Sequence, residues 1–465
     1  MALSLAPPLT AADIECIHER SLALLEEVGV KYHTPRALEA LEMMGCPVDY
    51  QSAWASLPRH VVEWAVQQAP STVRLCARDP KRDVLLDGRR PHHTTDSQGT
   101  EAIDLETGLR RDSTEEDLRR SLLFADALDM VEIVNVMVAA GDVSAHVRTV
   151  HHFALAFRQT DKHVRSGVLR AEEVPFVLEL ARASLGSRSD NTRPIFSAVD
   201  CTVSPLMHDG PMTEACIELA RHSVPIMVYP MPMAGGTAPV TQSGTVLLHN
   251  AEFLSGLVLF QSVNPGTPIV YGTGASQLDM ETGAYGSSPT GHGLKLALRE
   301  MARLYRVPVN LFGLSTASEA LDAQYGHEAT ASALLARLAG ADEIYSVGLL
   351  GSAQILSLEK MVMDNHLAHQ IEAMVASLIT DEDHLQSDVI KRVGIGGHYL
   401  GQPETRTFTQ REYVAGWPRP GRTMREAIRA EALDILHNHT APPLPDGIEE
   451  EFEAVLKAAG EALAR

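Results

Sequence analysis

Cysteine is scarce in this chain: five residues among 465, at Cys16, Cys46, Cys76, Cys201 and Cys216, with no Cys-x-x-Cys spacing. That scatter argues against a disulfide framework or a thiolate zinc site and fits free thiols in a reducing cytoplasm. Basic charge is also short, with 39 Lys and Arg against 60 Asp and Glu and a formal net charge of −21. Nucleic acid and anionic membranes would be repelled, so neither is an expected partner. Uninterrupted apolar runs stop well before the ~18 residues that a membrane-spanning helix needs. The opening residues, MALSLAPPLTAADIECIHER, place no basic stretch ahead of an apolar core. The expected location is therefore the cytoplasm, with neither a span nor a secretion signal. Catalytic signatures are absent too: there is no HExxH, no P-loop and no GxSxG. The paired histidines at 92–93 and 151–152 are adjacent, and the single HxH, His437-Asn438-His439, lies in the polar C-terminal tail. No metal site is expected.

What is present changes character along the chain. Residues 1–90 read as a helix-rich extension. Thr10 caps a helical pattern that stops at Gly29, and PRHVVEWAVQQAP gives a second helix stopped by Pro70. From 91 to 380 short apolar runs alternate with amphipathic helices. Candidate strands fall at 92–96, 131–137, 163–168, 194–201, 224–229, 267–272, 307–313 and 343–348. Nearly continuous apolar strands separated by helices call for a parallel sheet covered on both sides, and eight such units are the count of a closed (β/α)8 barrel. An open doubly wound sheet is the alternative. Residues 381–465 form a helical and irregular C-terminal extension.

In such a barrel the loops after the strands build the site. The stretch VYPMPMAGGTAPV (228–240) is one of these loops, and its glycines would let backbone approach a ligand. At or near strand ends stand Tyr229, Tyr271, Phe312 and Tyr345, with Asp96 and Gln98 after the first strand and Asp200 and Ser204 after the fourth. Asp322, Gln324 and Glu328 follow the seventh. Several aromatic faces converging on one mouth would suit a quaternary ammonium ion.

The run SPLMHDGPMTEACIELARHSVPIMVYPMPMAGGTAPVTQSGTVLLHNAEFLSGLVLFQSVNPGTPIVYG (204–272) resembles the trimethylamine methyltransferase family of corrinoid-dependent methyltransferases. So do IDLETGLRRDSTEEDLRRSLLFADALDM (103–130), LDAQYGHEA (321–329), SLEKMVMDNH (357–366) and GIGGHYLGQPETR (394–406), in consistent order across nearly the whole chain. The resemblance implies a (β/α)8 barrel that moves a methyl group from a methylated amine to Co(I) of a corrinoid. That corrinoid would come in trans on a partner protein, since no cobalamin-binding domain is visible. The archetypal members encode pyrrolysine, whereas this chain carries only standard residues. It is thus similar to the branch acting on quaternary amines such as glycine betaine. The resemblance implies that Gly235, Gly236, Thr237 and Ser315 face the corrinoid, and that Asp322, Gln324 and Glu328 position substrate or cofactor. Tyr229, Tyr271, Phe312, Tyr325, Tyr345, His398 and Gln98 would bind substrate. A homo-oligomer is expected. DKHVRSG (161–167) approaches the D-x-H-x-x-G signature of proteins that give a histidine to cobalt, but Ser166 takes the glycine's place on a predicted strand, and the match reads as coincidence. Two alternatives are a non-catalytic methylamine- or betaine-binding barrel and a pterin-dependent methyltransferase.

Overall fold

The computed structural model describes residues 7–186, 193–281, 283, 285–286, 289–412 and 423–464. Parts of both expected extensions (1–6, 413–422 and 465) lie outside the described residues. Eight strands close into a barrel in chain order: β1 (His92–Thr95), β2 (Val131–Asn135), β3 (His163–Arg165), β4 (Phe196–Asp200), β5 (Ile226–Val228), β6 (Ile269–Gly272), β7 (Val309–Phe312) and β8 (Glu343–Val347). Every neighbouring pair is parallel, and β8 pairs with β1 to complete the circle. All eight predicted strands form, and the (β/α)8 barrel is the fold.

Helices follow each strand. Three precede the barrel, α1 (Ala11–Glu27), α2 (Pro35–Met43) and α3 (Arg59–Gln68). The barrel helices are α4 (Glu115–Ala127), α5 (Arg148–Gln159), α6 (Val174–Ser184), α7 (Gly210–Arg221), α8 (Gln242–Val263), α9 (Pro289–Tyr305), α10 (Ala323–Ala339) and α11 (Leu358–Val375). Thr10 and Thr114 cap α1 and α4, each forming a reciprocal box with the Asp three residues on. Helix α8 is long and apolar enough to cross a membrane by length and composition, but 83% of that window is buried inside the protein. It packs against α1, α2, α3, α7 and α9, and its buried Asn250, Glu252 and Gln261 are all hydrogen-bonded. It is a core helix.

The N-terminal extension holds strand as well as helix. Val73–Leu75 and Val84–Leu86 form an antiparallel hairpin. Its Val73, Leu75, Val84 and Leu86 join Ile133, Met227 and Val270 in one buried cluster. The hairpin therefore plugs the end of the barrel where the strands begin, and the Cys76 carbonyl meets His163 Nδ1 at 2.7 Å. This interior position, under a hydrogen-bonded lid, also removes His163 from any cobalt-ligating role. The C-terminal extension returns along the outside, its helix Met424–Asn438 on α11 and α4 and its helix Ile448–Leu463 on α5 and α6. Between α11 and these helices, Leu378, Ile379, Ile390, Ile395 and Leu400 stand exposed.

Side chains alternate in and out along each strand. One inward pair crosses the lumen: Arg165 of β3 donates two hydrogen bonds to Glu343 of β8, at 2.6 and 2.7 Å, and both side chains are fully buried. Asn310 Nδ2 donates to the same carboxylate at 2.8 Å, and Arg165 Nε donates to Ser197 Oγ at 3.0 Å. Burial alone would raise the Glu343 pKa, but the Arg165 charge and these hydrogen bonds outweigh it and hold the carboxyl below its usual range. Removing one partner strands the other charge in a dry interior. We expect Glu343→Gln to lose about 3–5 kcal/mol of stability in urea unfolding. The double change Arg165→Met/Glu343→Leu should cost less than Glu343→Gln alone. A single-variant loss below ~1 kcal/mol, the range of exposed pairs, would show that the pair carries no such weight.

Candidate active site

Above this polar floor lies a cavity of about 540 Å3, within the range of small-molecule sites. Its base is Arg165, Asn135 and Met227, and its rim comes from strand-end loops, including Gln98, Leu169, Met231, Ser352 and Gln354.

Three of the expected aromatics reach it, and the register explains why. Phe312 of β7 is the direct partner of Tyr345 of β8, so both rings point inward from the same level. Tyr229 follows β5 on the inward phase of Met227. The ring centroids lie 5.1 Å apart for Phe312 and Tyr345, 6.3 Å for Tyr229 and Phe312, and 6.4 Å for Tyr229 and Tyr345. At such distances rings touch each other, so they form one continuous wall with no space between them for an ammonium ion. Close approach by the neighbouring backbone makes room for Tyr229. A Cβ on Gly272 would lie 2.2 Å from its Cδ2, and one on Gly274 would lie 2.7 Å from its Cε1.

Tyr271 does not join them. It pairs with Val228 and Val309, residues of the outward phase. Its ring packs tilted against Phe253 and stacks on His249, both of α8, and its hydroxyl meets Asn250 at 3.2 Å. A one-residue change of phase put it on the other face of the sheet.

Other expected residues also sit elsewhere. Tyr325 is buried between α10 and α11, donating to Asp364 at 2.7 Å. Asp364 accepts from Lys360, whose Nζ also donates to the carbonyls of Leu314 at 2.9 Å and Ser346 at 3.1 Å. Leu314 and Ser346 both have positive φ, 58° and 110°. Tyr325 thus supports the cluster that holds the ends of β7 and β8. Asp322 caps α10 by accepting from the Tyr325 amide. Gln324 is exposed and donates to Glu328. Glu328 accepts from Thr316 Oγ1 at 2.7 Å and Ala317 N at 2.8 Å, bracing the loop whose Ser315 and Thr316 line the cavity. Gly235, Gly236 and Thr237 make the turn of a loop that pairs with Ser276–Leu278. Gly235 has a φ of 90°, and Thr237 Oγ1 accepts from Met233 N. None of the three lines the cavity; Met231 of the same loop does. His398 is exposed on the C-terminal extension and is not among the lining residues. Asp200 and Ser204 turn outward, to His208 and Glu252.

Two charged residues of the lining act on each other: Asp96, expected after the first strand, and Lys295, which the sequence reading missed. Lys295 of α9 places its Nζ 4.1 Å from the Phe312 ring centroid. Burial lowers its pKa to about 8, opposed by the charge of Asp96. Asp96, just past β1, is 2% exposed and takes a hydrogen bond from Ser97 N at 2.8 Å. Burial raises its carboxyl to about 6. Tyr229 is 6% exposed, and its hydroxyl has no hydrogen-bond partner among the described residues, nor has Ser315 Oγ. Among those residues no His/Cys/Asp/Glu group could hold a metal ion.

The Asp96 shift sets a pH dependence. The native carboxyl binds its proton more tightly than the unfolded one, so stability falls as pH rises from about 4 to about 6 and is level above. Asp96→Asn should abolish that slope and be more stable at pH 7 by up to about 3 kcal/mol. Urea unfolding at pH 4, 5, 6 and 7 checks this; parallel profiles for the two proteins would contradict it.

Comparison with known proteins agrees with this architecture. A family model described as trimethylamine methyltransferase matches residues 2–459. A trimethylamine methyltransferase of Desulfitobacterium hafniense is 33% identical, over 96% of this chain and 92% of that protein. A glycine betaine methyltransferase of the same species is 28% identical, over 97% of each. Among solved structures, the monomethylamine methyltransferase of Methanosarcina barkeri shares the fold, with a TM-score of 0.51 and 12% identity over 97% of this chain and 93% of that one. With a match that runs almost from end to end, the chain belongs to the trimethylamine methyltransferase family.

Proposed function

We propose that this protein transfers a methyl group from a quaternary, or otherwise methylated, amine to Co(I) of a corrinoid carried by a partner protein. The observation that carries the reading is the cavity itself. It lies at the strand-end mouth of a chain that matches this family over nearly its full length, and it combines an aromatic wall with one buried carboxylate.

A cavity of about 540 Å3 takes an amine of a few carbons. A corrin macrocycle is too broad to enter with it and would lie across the rim loops. The fit is therefore amine inside and acceptor at the mouth. The chemistry asks little acid–base work of the protein. As the methyl leaves for the acceptor, the N–C electron pair stays on nitrogen, and a quaternary nitrogen departs as a neutral tertiary amine. No general acid is required. The chain's task is to hold one methyl pointing out of the mouth and to keep water away. Ring faces suit this role better than close ion pairing, because the positive charge disappears during transfer and a tight carboxylate contact favours the ground state.

Purified protein mixed with a corrinoid protein held as Co(I) tests the reaction. Loss of the Co(I) absorption on adding one quaternary amine is expected. No change with any of a panel of quaternary and tertiary amines would overturn the reading. Within that assay Tyr345→Ala should raise the amine's KM at least tenfold, about 1.4 kcal/mol. Tyr271→Phe, on the outer face, should leave it unchanged.

A further inference from the structure

Resting on the methyl-transfer reading, we infer that Lys295 selects a zwitterion, seating a carboxylate of the substrate while the ammonium head lies toward Asp96 and Tyr345. Three observations converge on this. The charge balance comes first. Arg165 and Glu343 neutralise each other in the floor, which leaves one acid, Asp96, and one base, Lys295, in the cavity. A simple cation such as choline or tetramethylammonium would add an uncompensated positive charge beside Lys295 in a space with little water to screen it. A zwitterion adds none.

The second observation is the occupied ring. The Lys295 ammonium already covers the Phe312 ring at 4.1 Å, so a substrate cation finds this face both blocked and repelling. Its remaining choice is the Tyr345 side of the wall, where the Tyr345 hydroxyl meets both Asp96 and Ser97, whose Oγ lies 2.6 Å from it.

The third is a surplus of donors. Tyr229 OH and Ser315 Oγ, which line the cavity with Lys295, are buried without partners among the described residues. Buried donors call for acceptors. A methylated ammonium group offers none, whereas a carboxylate offers two oxygens.

Calorimetric titration of glycine betaine, choline and tetramethylammonium into wild type, Lys295→Met, Lys295→Arg and Lys295→Glu tests the inference, with the Co(I) assay run on the same set. Wild type should bind glycine betaine at least tenfold more tightly than choline. Lys295→Met should lose tenfold or more for glycine betaine without losing choline, Lys295→Arg should keep the wild-type preference, and Lys295→Glu should reverse it. Circular dichroism establishes that each variant is folded, and Lys295→Arg against Lys295→Glu decides the matter if Lys295→Met is not. Equal glycine betaine affinity in wild type and folded Lys295→Met, or a wild-type preference for choline, would overturn the assignment. Methyl transfer from choline alone removes the role of Lys295 and leaves the reaction standing, whereas no transfer from any amine removes both.

Discussion

The rest of the molecule depends on a single contact, the ion pair between Arg165 and Glu343. β3 and β8 are not neighbours in the barrel, so this pair spans the lumen and ties opposite walls together. Two fully buried charges survive there because their hydrogen-bonding capacity is met: Ser197 and Asn310 supplement the two bonds they make to each other. The hairpin from the N-terminal extension keeps water out from below. Part of the segment that the sequence presents as an appendage is thus the stopper that lets a charged floor exist.

On that floor the cavity is arranged by contacts that never touch its contents. The carbonyls of Leu314 and Ser346 turn toward Lys360 at the ends of β7 and β8 and fix the backbone from which Phe312, Ser315 and Tyr345 project. Glu328 braces the same loop from α10. Gly272 and Gly274 leave the volume that the Tyr229 ring fills. The net charge of −21 says nothing about this site, where one carboxylate, Asp96, and one ammonium, Lys295, line the same cavity.

The barrel was legible in the sequence because most of its parallel strands, buried on both faces, leave apolar runs; the weakest signal was the first, His92–Thr95, whose polar side chains are nonetheless all buried. The cavity was legible only where residue type and phase coincided. Tyr229, Phe312 and Tyr345 lie on the inward phase, whereas Tyr271, as apolar and as close to a strand end, lies on the outward one. Counting in twos from Val270 would have separated them. Tyr325 looked like a ligand face because its loop follows β7, but the helix that starts at Ala323 carries it away to Asp364. Gly235 and Gly236 read as ligand-facing because glycine permits close approach, yet the turn they make uses that freedom itself. Lys295 left no mark, since a lysine in an amphipathic helix normally signals a solvated face. Only the closed barrel turns it inward.

The stoppered floor has a kinetic consequence. With the hairpin and the ion pair closing one end, the described residues leave the cavity open at the strand-end rim, and on the proposed reading a macrocycle docked across that rim would shut it. Amine would then have to enter before the acceptor protein arrives, and demethylated product could leave only after that protein withdraws. On the proposed reading, turnover in such a vessel would be ordered by architecture: each methyl moved would require a full cycle of docking and departure.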